Sequence, residues 1–351
     1  MVRFLQHTLL RVSFGVLATL TSAVHAQPIV EYPLPIPLSV PEGIIQGPDG
    51  SVWFTEVLGG RIGRITATGS ITEFALPPGA QPREITVGPD GNLWYAESSR
   101  KAIGRMTITG TVMEFPIPRG APLNIAPGTN GDLWFIGIVP DYAGQSYVGH
   151  ITISGDITEF PIGASHSGGL VVGPDDNVWF TDFYGNKIVR MTPSGDLTEF
   201  PIPTQDSRPS AITSAPDGNL WFTEARGNTV GRITPNGVIT EFRSPVAGGS
   251  LFDITSTPDG TIWFADWSGW IGRVRRDGSV DVVPVPTRDG GPIGITAAAD
   301  GTIWFTENAG NRIGHAVPQQ LFHEIPVLSP MGSLAAFLGL TFVALMVLRQ
   351  S

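Results

Sequence analysis

The chain has 351 residues, with 44 glycines, 31 prolines, no cysteine and a formal net charge of -10. Lack of cysteine excludes a disulfide framework, a thiolate metal site and a cysteine nucleophile, and the acidic balance argues against nucleic acid, whose phosphates call for a basic face. So much glycine and proline suits many short strands joined by turns, and one large domain fits the length better than two.

The N-terminal residues 1–26 stand apart from the domain. They carry Arg3 and Arg11, an apolar stretch from Val12 to Leu20 and a small-residue site at Val24-His25-Ala26, the layout of a secretory signal peptide cleaved after Ala26. Next, IVEYPLP from Ile29 to Pro35 reads as the outermost strand of a unit whose other strands are not yet in sight.

From Gly47 one phrase begins to recur. GPDGSVWFTE is followed by GPDGNLWYAE from Gly88, GTNGDLWFIG from Gly128, GPDDNVWFTD from Gly173, APDGNLWFTE from Ala215, TPDGTIWFAD from Thr257 and AADGTIWFTE from Ala298. Their tryptophans, from Trp53 to Trp304, are 41, 40, 45, 42, 42 and 41 residues apart, and a fixed period of about 40 marks a repeat architecture. Each repeat reads as four strands. In the fifth, AITSA leads into a Pro-Asp-Gly turn, then LWFTE, a Gly-Asn loop, VGRIT, a PNG turn and VITEFRSP. Such a meander cannot bury both its faces alone, so seven copies arranged radially predict an all-β fold, a seven-bladed β-propeller spanning residues 27–326. The seventh blade needs an outer strand, which either Ile29–Pro35 or FHEIP, from Phe322 to Pro326, supplies; the N-terminal strand is preferred because the C-terminal one lacks a preceding glycine turn.

Function belongs on one rim. The Pro-Asp-Gly and PSG/PNG turns are nearly identical from blade to blade, so their end is structural, while the opposite end varies. That end carries the acid closing each second strand, namely Glu56, Glu97, Asp182, Glu224, Asp266 and Glu307, with Gly137 interrupting the series. Two readings of these acids stay open: a carboxylate ring facing the channel that holds a hard divalent cation, or structural acids that each cap a neighbouring loop or pair with a repeat basic residue such as Arg61, Lys187 or Arg312. Two residues before the first-strand isoleucine or leucine stand Glu42, Arg83, Leu123, Gly168, Ser210, Phe252 and Ile293, no two alike, as on a ligand-facing surface. Blade six adds Trp267 and Trp270 outside the repeat, candidate stacking surfaces for a sugar or aromatic ligand. The long loop of blade three places Tyr142 and Tyr147 where they could overhang the channel, and His166 lies in the crossing into blade four.

The C-terminal segment 327–351 contains MGSLAAFLGLTFVALMVL, from Met331 to Leu348, with no charge among 18 residues and Arg349 following. That is just long enough to cross a bilayer. Its start, IPVLSPMG from Ile325, resembles the C-terminal sorting signals of Gram-negative bacteria, which implies a protein exported to the periplasm, the membrane or the cell surface.

The repeats LWFTE, NRIG, TPSGDLTEFPIP and GPDGNLW resemble the streptogramin lyase family, the virginiamycin B lyases, over roughly residues 29 to 324. The resemblance implies a seven-bladed propeller and an enzyme that opens a cyclic depsipeptide at its ester by elimination, with Mg²⁺ and a histidine base. The family's histidines, in Pro-His-x-Ile motifs of blades six and seven, fall on Phe252 and Ile293, and an acid just ahead of the second motif falls on Gly291. Glu307 matches the acid closing the seventh blade's second strand and is, by resemblance, a catalytic residue and the candidate Mg²⁺ ligand. Of the histidines within the domain, His150, His166, His315 and His323, only His166 is expected on the active rim. Three readings compete: a lyase, a non-catalytic monomeric propeller binding a small molecule or protein at the wide channel rim, and a metal-dependent hydrolase of the lactonase type.

Overall fold

The Pro-Asp-Gly turn recurs because its aspartate does two things at once. In the computed structural model, which describes residues 29–139, 145–163 and 167–322, Asp49 accepts the backbone N–H of Ser51 at 3.2 Å and the indole N–H of Trp53 at 3.0 Å. Gly50 then takes φ +76°, which a side chain would resist. The same aspartate–indole bond recurs at Asp90–Trp94, Asp175–Trp179 and Asp217–Trp221. Each indole is sandwiched: Arg64 lies over Trp53 at 5.6 Å and Phe74 stacks on it at 5.3 Å. This stack explains why tryptophan, arginine and the phenylalanine of ITEF return together. His150 and His315 take the arginine's place over Trp134 and Trp304, so both belong to the turn end.

The second strand of six blades, such as Val52–Glu56, is buried throughout and closed by an acid, so it reads as an apolar run with an acid at its end. Phe54 lies flat against Gly63 of the third strand, where a Cβ would stand 2.1 Å from the ring. Twenty-eight strands form seven four-stranded antiparallel sheets among the described residues. The apolar clusters lie between blades: Trp304 and Ile313 of blade seven pack with Ile44, Val52 and Phe54 of blade one. No blade encloses a core by itself, so the ring must close.

The N-terminal strand closes it. Ile29–Pro33 pairs antiparallel with Arg312–Ala316 from Ile29↔Ala316 to Pro33↔Arg312, and the Asn311 side chain ties the following turn by bonding Ser39 N–H and Ile36 C=O, both at 2.8 Å. Past the last strand a four-residue helix, Pro318–Leu321, leads to Phe322, which packs on Trp263 and Arg273. The competing outer strand therefore has its place already filled. Among the described residues no helix is long and apolar enough to cross a membrane. The signal segment 1–26 and the apolar segment 327–351 lie outside the described residues.

Candidate functional site at the channel mouth

Every inner strand carries the same irregularity. Pro41 pairs with Glu56 and Ile44 with Phe54, so that Glu42 and Gly43 together face the single Thr55. The shift recurs in the other six blades. It is a β-bulge, which leaves one N–H without a ladder partner and re-aims the side chains beside it. Pleating alone would send consecutive residues to opposite faces; with the bulge, both reach the channel.

The threonine opposite the bulge takes up the spare N–H in four blades. Thr55, Thr181, Thr223 and Thr306 accept from Gly43, Gly169, Ala211 and Gly294 at 2.9–3.0 Å. Three of these hydroxyls also donate to the next blade's carbonyl, Ser210, Phe252 or Glu42, at 2.6–2.8 Å. The approach is so close that a Cβ on Gly294 would lie 2.1 Å from the Glu42 carbonyl oxygen. In blades two, three and six the threonine is replaced by Ala96, Ile136 and Ala265, and the residue across from it is Glu84, Asn124 or Asp253. Three blades thus trade a staple between neighbours for a polar side chain in the channel.

All seven variable residues expected on a ligand-facing surface, Glu42, Arg83, Leu123, Gly168, Ser210, Phe252 and Ile293, line one cavity of about 310 Å³, and Glu84, Asn124 and Asp253 line it with them. Arg83 and Glu42 form an ion pair at 2.9 Å. The Asp253 carboxylate accepts N–H of Ile254 and, from blade seven, of Ile295, each at 2.8 Å; burial outweighs these bonds and pushes its pKa to about 6. Glu84 accepts from Ile85 at 3.3 Å, and burial followed by the negative charge of Asp253 raises its pKa well above the usual carboxylate range. Burial also raises Glu42, against the pull of Arg83. Leu123, Phe252 and Ile293 form the apolar wall. Trp267 extends it, its ring 5.9 Å from Phe252 and packed over Gly291, where a Cβ would stand 3.1 Å from the indole.

The six acids closing the second strands are not part of this cavity. All six are buried, and three of them hold rim loops: Glu97 accepts Gln81 N–H at 2.7 Å, Asp182 accepts Gly185 N–H at 2.8 Å, and Asp266 accepts Ser250 N–H at 2.9 Å. The expectation that they converge on the channel is corrected; the capping reading holds for Glu97, Asp182 and Asp266, and pairing with a basic residue for Glu56 with Arg61 at 3.8 Å and Asp182 with Lys187 at 3.7 Å. Tyr147 is corrected as well. It is buried against Phe135, and its hydroxyl occupies the space an acid would need at Gly137, which is why blade three interrupts the series. Trp270 begins the third strand of blade six, paired with Asp266 and Pro284, and is not among the residues lining the cavity. Tyr142 and His166 lie outside the described residues.

In three blades the closing acid meets a second carboxyl from the outer strand: Glu56 with Glu73, Glu224 with Glu241 and Glu307 with Glu31. Burial, then this neighbouring acid, pushes Glu224 to about 8 and Glu307 to about 9, while Glu56 reaches about 6. Both Glu307 oxygens are buried without a hydrogen-bond partner. A magnesium ion needs several oxygen ligands around it, and among the described residues no three His, Asp or Glu side chains come together to hold a metal. The Glu307 pocket does not fit a magnesium site.

Glu84, Asn124 and Asp253 were missed from sequence because strand alternation points them away from the channel. Their signal was nevertheless present: PREI, PLNI and LFDI put a polar residue directly before the isoleucine, where the other blades have glycine or alanine.

The structure is a seven-bladed β-propeller whose repeats differ most at one channel mouth. The chain belongs to the virginiamycin B lyase family, which it matches over residues 20–168 and 163–336. It is similar to a streptogramin B lyase structure at 35% identity, covering 82% of this chain and 96% of that one with a TM-score of 0.76. Virginiamycin B lyase from Staphylococcus aureus is 36% identical, with 82% and 99% covered and a TM-score of 0.75. A catalytically inactive histidine-to-alanine form of that enzyme, solved with quinupristin, gives the same identity and coverage and a TM-score of 0.76. No curated protein sequence matches the chain.

Proposed function

We propose that this chain is an exported, membrane-tethered member of the virginiamycin B lyase family that binds a ligand at its channel mouth without opening streptogramin rings by the histidine route. One observation carries the reading. The positions that the resemblance assigns to the family's histidines hold Phe252 and Ile293, which line the cavity and accept no proton. The position assigned to its acid is Gly291, with φ +64° and the Trp267 ring packed above it. An elimination depends on a positioned base, and the space for the acid is filled by an indole. Magnesium has no step in this reading.

The test is incubation of a type B streptogramin with the protein, Mg²⁺ present and absent, followed by chromatography and fragmentation, because elimination leaves the mass unchanged. We expect no linear product. A second reading, retained ring opening on a new base, is favoured by Asp253, a cavity carboxyl beside Phe252 with its pKa near 6. Turnover abolished by Asp253→Asn would establish it. Turnover lost only in His166→Ala would assign the base to the rim histidine. Turnover lost only in Glu307→Gln would return that acid to the reaction. For export, N-terminal sequencing of membrane-fraction protein is expected to begin at Gln27, and an intact Met1 would overturn that part.

A further inference from the structure

Resting on the reading of the cavity as a ligand site, the inference concerns which ligands it admits. Three carboxyls, from Glu42, Glu84 and Asp253, face the cavity against one guanidinium, Arg83, and Arg83 is engaged by Glu42 at 2.9 Å. The inner strands of blades three, four, five and seven contribute no titratable group there: their bulge residues are Leu123 and Asn124, Gly168 and Gly169, Ser210 and Ala211, and Ile293 and Gly294. Glu84 and Asp253 are left with backbone N–H partners and no countercharge. Facing charges of one sign in a confined space favour a cation strongly, since water screens them poorly there. Phe252, next to Asp253 on the same strand and backed by Trp267, gives an apolar surface beside the acids, and Asn124 adds an amide from blade three.

We propose that the channel mouth selects small organic ammonium ions that carry an apolar group, the ammonium seated between Glu84 and Asp253 and the apolar arm against Phe252. An ammonium has three donors and no acceptor, which suits two carboxyls and the Asn124 carbonyl oxygen. A neutral or anionic isostere leaves those carboxyls without a cation. Where burial and mutual repulsion keep a proton on the pair, the incoming cation replaces it, so binding tightens as pH rises.

Calorimetry on the detergent-solubilised full chain tests this with three probes of one shape: phenethylammonium, 2-phenylethanol and 3-phenylpropanoate. We expect the ammonium to bind at least about tenfold tighter than the alcohol, the carboxylate not to bind, and ammonium affinity to rise about tenfold between pH 5 and 8. Glu84→Gln and Asp253→Asn should each remove most of the preference for the ammonium, Glu42→Gln less because its charge is spent on Arg83, and Phe252→Ala should weaken ammonium and alcohol alike. Equal binding of alcohol and ammonium overturns the charge selection, as does an undiminished preference in a Glu84→Gln protein with unchanged melting. The broader reading fails by a different result: streptogramin turnover sinks it whatever the probes do, whereas alcohol binding lost in Phe252→Ala leaves it standing without the charge selection.

Discussion

The two ends of the propeller were built from the same repeat and have come to opposite conditions. At the turn end, aspartate, indole, arginine and phenylalanine hold the same contacts in blades one, two, four and five, and His150 and His315 stand over the indole in blades three and seven. At the channel mouth, the bulge is kept in all seven blades while the pair of residues it aims inward differs from blade to blade. The difference shows what the bulge is for. A backbone irregularity can be common property because its spare N–H is met by threonine, and wherever threonine is absent the blade is free to present a charge or an amide instead. The repeated contacts and the variable side chains therefore sit at separate ends of the same strands.

The largest effect should come from opening the ring, which both ends depend on. Removing Ile29–Pro33 strips blade seven of its outer strand and exposes the Arg312–Ala316 edge; the melting temperature should fall by roughly 15 °C, measured by circular dichroism. An unchanged value would mean that the residues after Phe322 supply the missing strand. Next is a single break at the turn end. Trp179→Ala removes a fully buried indole with its bond to Asp175 and its stack on Phe200, at a cost of about 4 kcal/mol, or about 10 °C. Probe binding at the channel mouth, measured below the new melting point, should survive it. If binding is lost as well, the two ends are not separable.

Much of this comparison was legible in the sequence. Period, blade count, turn chemistry and even the variable ring from Glu42 to Ile293 follow from residues that repeat or conspicuously fail to. Glu84 and Asp253 were hidden by the bulge, since a two-residue alternation rule assigns them to the wrong face. The closing acids were misplaced for the converse reason. Position along a strand told where Glu56 and Glu307 end up, at the rim, but the direction of a carboxyl at a strand's last residue depends on the loop it caps. Tyr147 shows the limit plainly: a tyrosine in a long loop-flanking segment looked like a lid, and it is a core residue that fills the vacancy at Gly137.

A smaller effect separates the buried acid pairs from the turn aspartates. Glu307 rises from about 4.5 in the open chain to about 9 in the fold. Its contribution is therefore complete below the unfolded value and is lost as pH climbs toward 9. Glu224, at about 8, acts in the same direction. The turn acids Asp49, Asp90 and Asp175 are lowered even against burial, Asp49 by its indole and backbone donors and Asp90 and Asp175 first by the Asn92 and Asn177 amides and then by the indoles, so their contribution disappears only in acid. Melting temperature should decline from about pH 5 to pH 9. Glu307→Gln, which keeps the shape and cannot ionise, should raise it by about 4 °C at pH 8 and flatten the slope. A lower melting temperature for that variant at pH 8 would mean that Glu307 is ionised and paired in the fold.

The smallest effect on stability should come from restoring what the resemblance says is missing. Phe252→His with Ile293→His changes two cavity-lining residues that are only partly buried, and the melting temperature should stay within about 2 °C of the parent. Ring opening of a type B streptogramin should remain at least about 100-fold below that of an authentic lyase, because the third partner stays absent and groups that act as a unit are not recovered piecemeal. Gly291 cannot simply be made an acid: Val40 and Arg208 carry side chains at φ 57° in the matching position of blades one and five, but at Gly291, φ +64°, the Trp267 ring lies 3.1 Å from where its Cβ would be. The informative comparison adds Trp267→Ala to the two histidines, with and without Gly291→Glu. If the two histidines alone restore lyase-level turnover, the indole over Gly291 is incidental and the mouth of this channel has lost its chemistry by two substitutions only. If turnover appears only when the indole is removed and the acid installed, the loss is written into the backbone and packing of the seventh blade's entry.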